Sequence, residues 1–317
     1  MAYDPKTLQE AIVFFSDPVN CREYLVARRW PNGVTCPRCG SDKVAFLEKY
    51  NRWQCGSNHA RRQFTAKTGT IFEDSPLGLD KWLTAMWQVV NCKNGISSYE
   101  VHKAIGITQK SAWFMDHRIR LALQDEMTGG KLGGEVEVDE TFIGGKSRNM
   151  HKSKRRLKIH KPGPHDKVAV MGMVERGGKV VAFPVPNRKK GELQKQVREQ
   201  VEAGSAIFSD ELKSYDGLEK DYQHAVIDHA VEYVRGNVHT NTMENFWSLV
   251  KRGLHGTYVS VEPFHLFRYL DEQAYRYNNR ELTDAERFSI AVEGIVGKRV
   301  TWDRLTGKQT DPQTAAN

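Results

Sequence analysis

Three acidic residues far apart in the chain, Asp139, Asp210 and Glu244, each sit in a local pattern able to offer a carboxylate to a shared cleft. Between Gly134 and Gly145, Val136, Val138 and the run Thr141 to Ile143 read as a strand stopped by a glycine pair. Side chains alternate along a strand, so Glu137 and Asp139 share one face and Glu140 takes the other. Asp210 closes the short apolar run that starts at Ala206, ahead of the turn signal Tyr215-Asp216-Gly217. Met243, Phe246, Trp247 and Val250 have helical spacing; Thr240 or Asn241 can cap that helix, Gly253 can stop it, and Glu244 falls in its first turn. Lys251 lies about two turns of 3.6 residues later on the same side as Glu244, with Arg252 beside it. Carboxylates are hard oxygen ligands that suit Mg²⁺ or Mn²⁺. Phosphoryl transfer uses two such ions ~3.5–4 Å apart, one at the attacking oxygen and one at the leaving oxygen. Each acid taken alone is better read as a solvated surface residue; the three together reverse that reading and point to metal chemistry.

A second ligand set stands nearer the N-terminus. Cys36-Pro37-Arg38-Cys39 is a C-x-x-C knuckle, and Cys55-Gly56-Ser57-Asn58-His59 a C-x-x-x-H one. Three thiolates and an imidazole, Cys36, Cys39, Cys55 and His59, complete a tetrahedral Zn²⁺ site, with residues 44–50 supplying strands of a ribbon. Free thiols or a disulfide are the competing readings. Cys21 and Cys92 belong to no motif and read as small buried side chains. Five cysteines in all fit a reducing compartment.

The elements that must position these groups follow from periodicity. Leu83, Met86, Trp87 and Val90 mark an amphipathic helix after the cap region Leu77 to Asp80. Residues 97–115 read as helix, glycine turn at Gly106 and helix, with Thr108 as cap and Ile107 buried. This is the form of a helix-turn-helix, in which Gln109 and Lys110 would enter a DNA groove and His117, Arg118 and Arg120 would lie nearer the backbone. An ordinary helical hairpin in a core has the same pattern. Further on, the runs Val168 to Glu175 and Lys179 to Val185, joined by Arg176-Gly177-Gly178, predict a hairpin, and Leu193, Val197 and Val201 a helix over about 191–202. Strand, hairpin, helix, strand is the order of a mixed α/β sheet domain.

Charge points to a polyanionic partner. The net charge is +8 and the pI about 9.1. Residues 146–161 hold eight basic side chains and no acid, as many as the whole chain's excess, and the segment runs out at Lys161-Pro162-Gly163-Pro164. As a basic loop beside the Asp139 strand, with Lys154, Arg155 and Arg156 at its centre, it suits salt-sensitive contact with DNA phosphates; a solvated linker is the plainer reading. No signal peptide is expected, and charged residues interrupt every apolar stretch well short of ~20 residues, so neither secretion nor membrane insertion is expected.

The blocks Val138 to Gly145, Ser209-Asp210, His239 to Gly253 and Arg268 to Arg280 resemble the signature segments of a DDE transposase family, that of bacterial insertion sequences related to the eukaryotic Merlin transposons. The resemblance spans residues from about 20 to about 295. It implies a ribonuclease H-like catalytic domain behind a zinc ribbon and a helix-turn-helix. It also implies binding of terminal inverted repeats, and metal-dependent DNA strand cleavage and strand transfer at Asp139, Asp210 and Glu244 with Lys251 alongside. Family members that use Asn as third ligand bring Asn241 into question, and members usually carry Cys where His59 stands. His239, just ahead of the Glu244 helix, would contact phosphate or orient a carboxylate. The expected division is a zinc-ribbon region over 1–72 and a helical region over 73–130. A catalytic domain over 131–300 with its basic loop at 146–164, and a polar tail over 301–317, complete it. A homodimer or higher oligomer would pair two DNA ends, in the cytoplasm at the nucleoid. Two other classes remain: a catalytically silent zinc-ribbon regulator derived from a transposase, and a paired-acid hydrolase such as a glycosidase.

Overall fold

The computed structural model describes residues 3–124, 130–144, 152–153, 167–210, 212–227 and 239–308. They fall into two compact units, one running to Gln124 and resuming at Asn279, the other spanning Asp125 to Asn278.

The first unit opens with α1 (Leu8–Phe15), capped by the Thr7 side chain, and α2 (Pro18–Arg29), capped by Asp17 with Pro18 in its first turn. A small antiparallel sheet follows, β1 (Val44–Leu47), β2 (Arg52–Cys55) and β3 (Gln63–Phe64), in that order. Next comes α3 (Leu79–Asn91), whose Leu83, Met86, Trp87 and Val90 are all buried as their spacing predicts. Then α4 (Ser98–Ile105) starts with a full capping box from Ser97 and Glu100, and Gly106 at φ +64° turns the chain into α5 (Gln109–Ala122), capped by Thr108.

The second unit is a five-stranded mixed sheet with helices on it. Its elements are β4 (Glu135–Ile143), β5 (Val168–Glu175), β6 (Val180–Val185), α6 (Lys190–Gln200), β7 (Ala206–Asp210), β8 (Gln223–Ile227), α7 (Asn241–Arg252) and α8 (Leu266–Asn278). The sheet order is β6-β5-β4-β7-β8, with β4, β5 and β6 antiparallel in turn and β7 and β8 parallel to β4. That is a ribonuclease H-like sheet. Alternation along β4 divides the core: Val136 and Val138 join Leu193, Val197 and Ile207 on one face, while Ile143 joins Met243, Phe246 and Trp247 on the other.

The chain then returns to the first unit with α9 (Asp284–Glu293) and α10 (Trp302–Leu305). Phe288 of α9 packs against Phe15, Tyr24 and Trp87, and the Ile71 N–H donates to the Ile295 carbonyl. The second unit therefore closes at Asn278, whereas the sequence reading carried it to 300, and the described residues 3–124 fall in one unit. Gly253 also departs from expectation. Its φ of −61° stays right-handed, and a π turn over Gly253–Thr257 continues the helix it was expected to stop.

Candidate metal centres

The pairing of β4 with β7 runs from Glu135 with Ala206 to Val138 with Ser209. Asp139 and Asp210 come one step beyond the last pair, on the same face of adjoining parallel strands. Asp139 Oδ1 accepts the Glu140 backbone N–H at 2.8 Å and its Oδ2 accepts the Trp247 indole N–H at 3.0 Å. Trp247 belongs to α7, as does Glu244, so the helix of the third acid is hydrogen-bonded to the first. Burial, then the charge of Asp210 and to a smaller degree that of Glu244, push Asp139 up to about 6 against those two hydrogen bonds. An acid raised by the charges of two other carboxylates suits a divalent cation, and an all-oxygen donor set suits Mg²⁺ or Mn²⁺. Met243, Phe246, Trp247 and Val250 turn inward, while Asn241, Glu244, Lys251 and Arg252 are exposed.

Glu140 faces the other way, as alternation requires, yet it is buried. It accepts the Tyr215 hydroxyl and lies 3.9 Å from Arg188. Burial and the charges of Asp210 and Asp139 push it up to about 8, with Arg188 pulling it down. Beyond it, Ser209, His224 and Glu219 form a chain of contacts at 2.9 and 3.2 Å. The order resembles a hydrolase triad, but Ser209 is wholly buried, so the chain ties β7 to β8.

Sequence reasoning left Glu137 without a role. It is fully buried and takes the Arg176 Nε–H at 2.8 Å, the Thr242 hydroxyl at 2.9 Å and the Met243 backbone N–H at 2.9 Å, with His239 Nδ1 at 3.2 Å. His239 thus faces a carboxylate. Gly172 of β5 stands opposite Asp139; a Cβ there would lie 2.4 Å from Met243 Cε and 2.6 Å from the Trp247 ring, so its bareness lets α7 lie close on the sheet.

In the first unit, the ligand atoms of Cys36, Cys39, Cys55 and His59 all lie within 4.8 Å of one another. Among the described residues this is the one cluster of three or more so tight, and the three carboxylates stand looser. Cys36 Sγ is 3.5 Å from His59 Nε2, and Cys39 Sγ is 3.7 Å from Cys55 Sγ. His59 Nδ1 lies 2.8 Å from the Ala60 carbonyl; donating its proton there leaves Nε2 for a metal. Burial raises the Cys55 thiol, but hydrogen bonds from His59 and Ser57 outweigh it and bring the group down to about 6. The donor set is that of a closed structural Zn²⁺ site.

Residues 131–278 match the ISXO2-like transposase domain and residues 17–60 the transposase zinc-ribbon domain. A transposase-like protein of Haemophilus influenzae is 31% identical over 123 residues, which cover 38% of this chain and 98% of that protein. The chain belongs to the ISXO2-like transposase family. A further relative, an uncharacterized protein in the transposable element ISH50 of Halobacterium salinarum, is 28% identical over 239 residues, 71% of this chain and 79% of its own length.

Within this transposase the residues expected to contact DNA divide. Lys110 is exposed with its ammonium 4.5 Å from the Trp302 ring centre, and Gln109, half-buried, donates to the Ser98 hydroxyl at 2.9 Å. Ile107 is half-buried rather than buried. Arg118 corrects the sequence reading. It is 4% exposed, donates to the Glu73 carbonyl at 2.6 Å and packs over Trp82 and Phe114, so its guanidinium serves the core and not a phosphate. His117 and Arg120 are buried with it. Lys154, Arg155 and Arg156 lie outside the described residues. No helix among the described residues is long and apolar enough to cross a membrane.

Proposed function

We propose that this transposase binds the terminal inverted repeats of its insertion sequence and cleaves and joins DNA strands at Asp139, Asp210 and Glu244. The observation that supports this best is the placement of Asp139 and Asp210 side by side at the ends of adjoining parallel strands, with a helix bearing Glu244 hydrogen-bonded to Asp139 through Trp247. Mg²⁺ or Mn²⁺ held by these carboxylates would activate the attacking oxygen and stabilise the leaving one. Trp247 and the Glu140 N–H fix the two Asp139 oxygens in orientation before any substrate arrives. Lys251 and Arg252, exposed on the Glu244 helix, attract the phosphates of the scissile strand; a cation at the rim of the acidic cluster helps, whereas one inside it would compete with the metal. Gln109 and Lys110, at the start of α5, read the end sequence from a groove, where a recognition helix makes its base contacts with its first residues. Lys154, Arg155 and Arg156 supply backbone contacts. Cutting two ends together requires a homodimer or larger assembly.

The test incubates purified protein with linear duplexes carrying candidate inverted repeats, in Mg²⁺, Mn²⁺ or chelator. Specific nicking and joining that needs the metal is expected. Asp139→Asn, Asp210→Asn and Glu244→Gln should each bind ends and fail to cut. Metal-independent cutting, or wild-type cutting by any of the three variants, removes the corresponding residue or the whole reading; tight end binding with no cleavage under any condition identifies a silent regulator. If Glu244→Gln cuts and Asn241→Ala does not, the third ligand is Asn241.

A further inference from the structure

The helix that carries Glu244 begins without a cap of its own, since Thr240 makes no side-chain capping hydrogen bond. A helix start presents unpaired N–H groups and partial positive charge. Both are met here from a distant strand. Glu137 of β4 accepts the Met243 N–H and the Thr242 hydroxyl, each at 2.9 Å. A carboxylate with no solvent exposure is strongly destabilising unless donors surround it. Arg176, in the β5–β6 turn, completes the set: it donates to Glu137 at 2.8 Å, to Glu135 at 3.0 Å and to the His239 carbonyl at 2.8 Å, and its guanidinium lies over the Phe208 ring. The strand, the turn, and the residues leading into the helix are thus fastened at one point.

Glu137 and Asp139 are two residues apart on one face of β4. The strand that holds the first carboxylate therefore also holds the start of the helix that brings the third. We propose that Glu137, braced by Arg176 and His239, is a positioning residue that sets Glu244 relative to Asp139. This rests on the metal-dependent reading above.

The experiment uses the full-length chain and measures Mn²⁺ binding by paramagnetic resonance alongside cleavage, end binding and zinc content. Glu137→Gln should weaken Mn²⁺ binding roughly tenfold, the scale of an outer residue that orients a ligand, and slow cleavage in step, with end binding and zinc content unchanged. Thr242→Ala, which removes one donor and leaves the buried acid paired, should shift both in the same direction by a smaller factor; it serves alone if Glu137→Gln does not fold. In a Glu244→Gln background the Glu137→Gln change should have no further effect on Mn²⁺ binding, because its route to the metal is already gone. Wild-type Mn²⁺ affinity and rate in Glu137→Gln, or in Thr242→Ala where only that variant folds, overturns the positioning role. So does an undiminished further loss in the Glu244→Gln background, which would place the effect in the fold at large. If Glu244→Gln itself binds Mn²⁺ and cuts as wild type, the metal-site reading falls and the positioning role with it; loss in Glu244→Gln with none in Glu137→Gln sinks the positioning role alone.

Discussion

Replacing Gly172 by Ala adds one methyl group at the point where α7 lies closest to the sheet. The new carbon would meet Met243 Cε at 2.4 Å and the Trp247 ring at 2.6 and 2.8 Å. A methionine terminus can swing aside, but Trp247 is 3% exposed and its ring is held by the core, so the helix or the ring must move. Overpacking of this kind costs about 1–3 kcal/mol. Moving the ring also loosens its 3.0 Å bond to Asp139, a hydrogen bond to an ionisable group worth about 1.5–3 kcal/mol. Both losses come from one displacement, so about 3 kcal/mol is the expected total, or roughly 6–12 °C in melting temperature at ~2–4 °C per kcal/mol. Calorimetry on the full chain reads this directly. Gly191→Ala is the control: nothing lies within 4 Å of a Cβ there and the site is helical, so it should melt at or slightly above the wild-type temperature. Cleavage should fall for Gly172→Ala and hold for Gly191→Ala. A Gly172→Ala protein that melts within about 1 °C of wild type would refute the idea that a bare backbone at Gly172 is needed for the helix to dock.

His59→Ala should release zinc to a chelator that leaves the wild type loaded and should unfold the β1–β3 sheet, read by zinc content and proteolysis; full occupancy would show that three thiolates suffice. Arg118→Ala should cost about 2–4 kcal/mol from a lost charged hydrogen bond and cation–π packing, seen in a melt, and leave the salt dependence of DNA binding unchanged. Neutralising Lys154, Arg155 and Arg156 together should do the reverse, flattening the plot of log affinity against log salt with little change in melting. Lys251→Ala should weaken scissile-strand binding while Mn²⁺ affinity holds, and Lys251→Arg should recover part of the activity; normal cutting by Lys251→Ala would make it a solvated helix position.

Local signals carried much of this molecule. The hairpin, α6 and the buried face of α3 lie where periodicity placed them, because each buries one face and exposes the other. The cysteine knuckles were legible for a different reason: ligand spacing within a hairpin is nearly fixed by the tetrahedron it must close. What escaped was tertiary. Arg118, with Asp116, His117 and Arg120, sits on a stretch of α5 buried on all sides, and no periodic pattern can announce a helix whose polar residues are packed inward. Glu137 read as an acid sharing a face with Asp139, but its partners lie 39 and more than 100 residues away. Glu140 pointed where alternation sent it, and only the fold revealed that this side is closed by Tyr215 and Arg188.

The return of α9 and α10 to the first unit has a bearing on how the protein is made. Phe288 fills a space among Phe15, Tyr24 and Trp87, and Ile295 hydrogen-bonds to Ile71, so the core of the N-terminal unit stays open on the ribosome until residues 279–308 have emerged. Domains that are continuous in sequence fold one after another during synthesis; here the intervening unit is translated, start to finish, before the flanking one can close. A ribosome that stops early releases a chain whose ribbon can hold zinc but whose aromatic core lacks its last side chain. Such a fragment should be cleared by proteolysis before it can compete with the full-length protein.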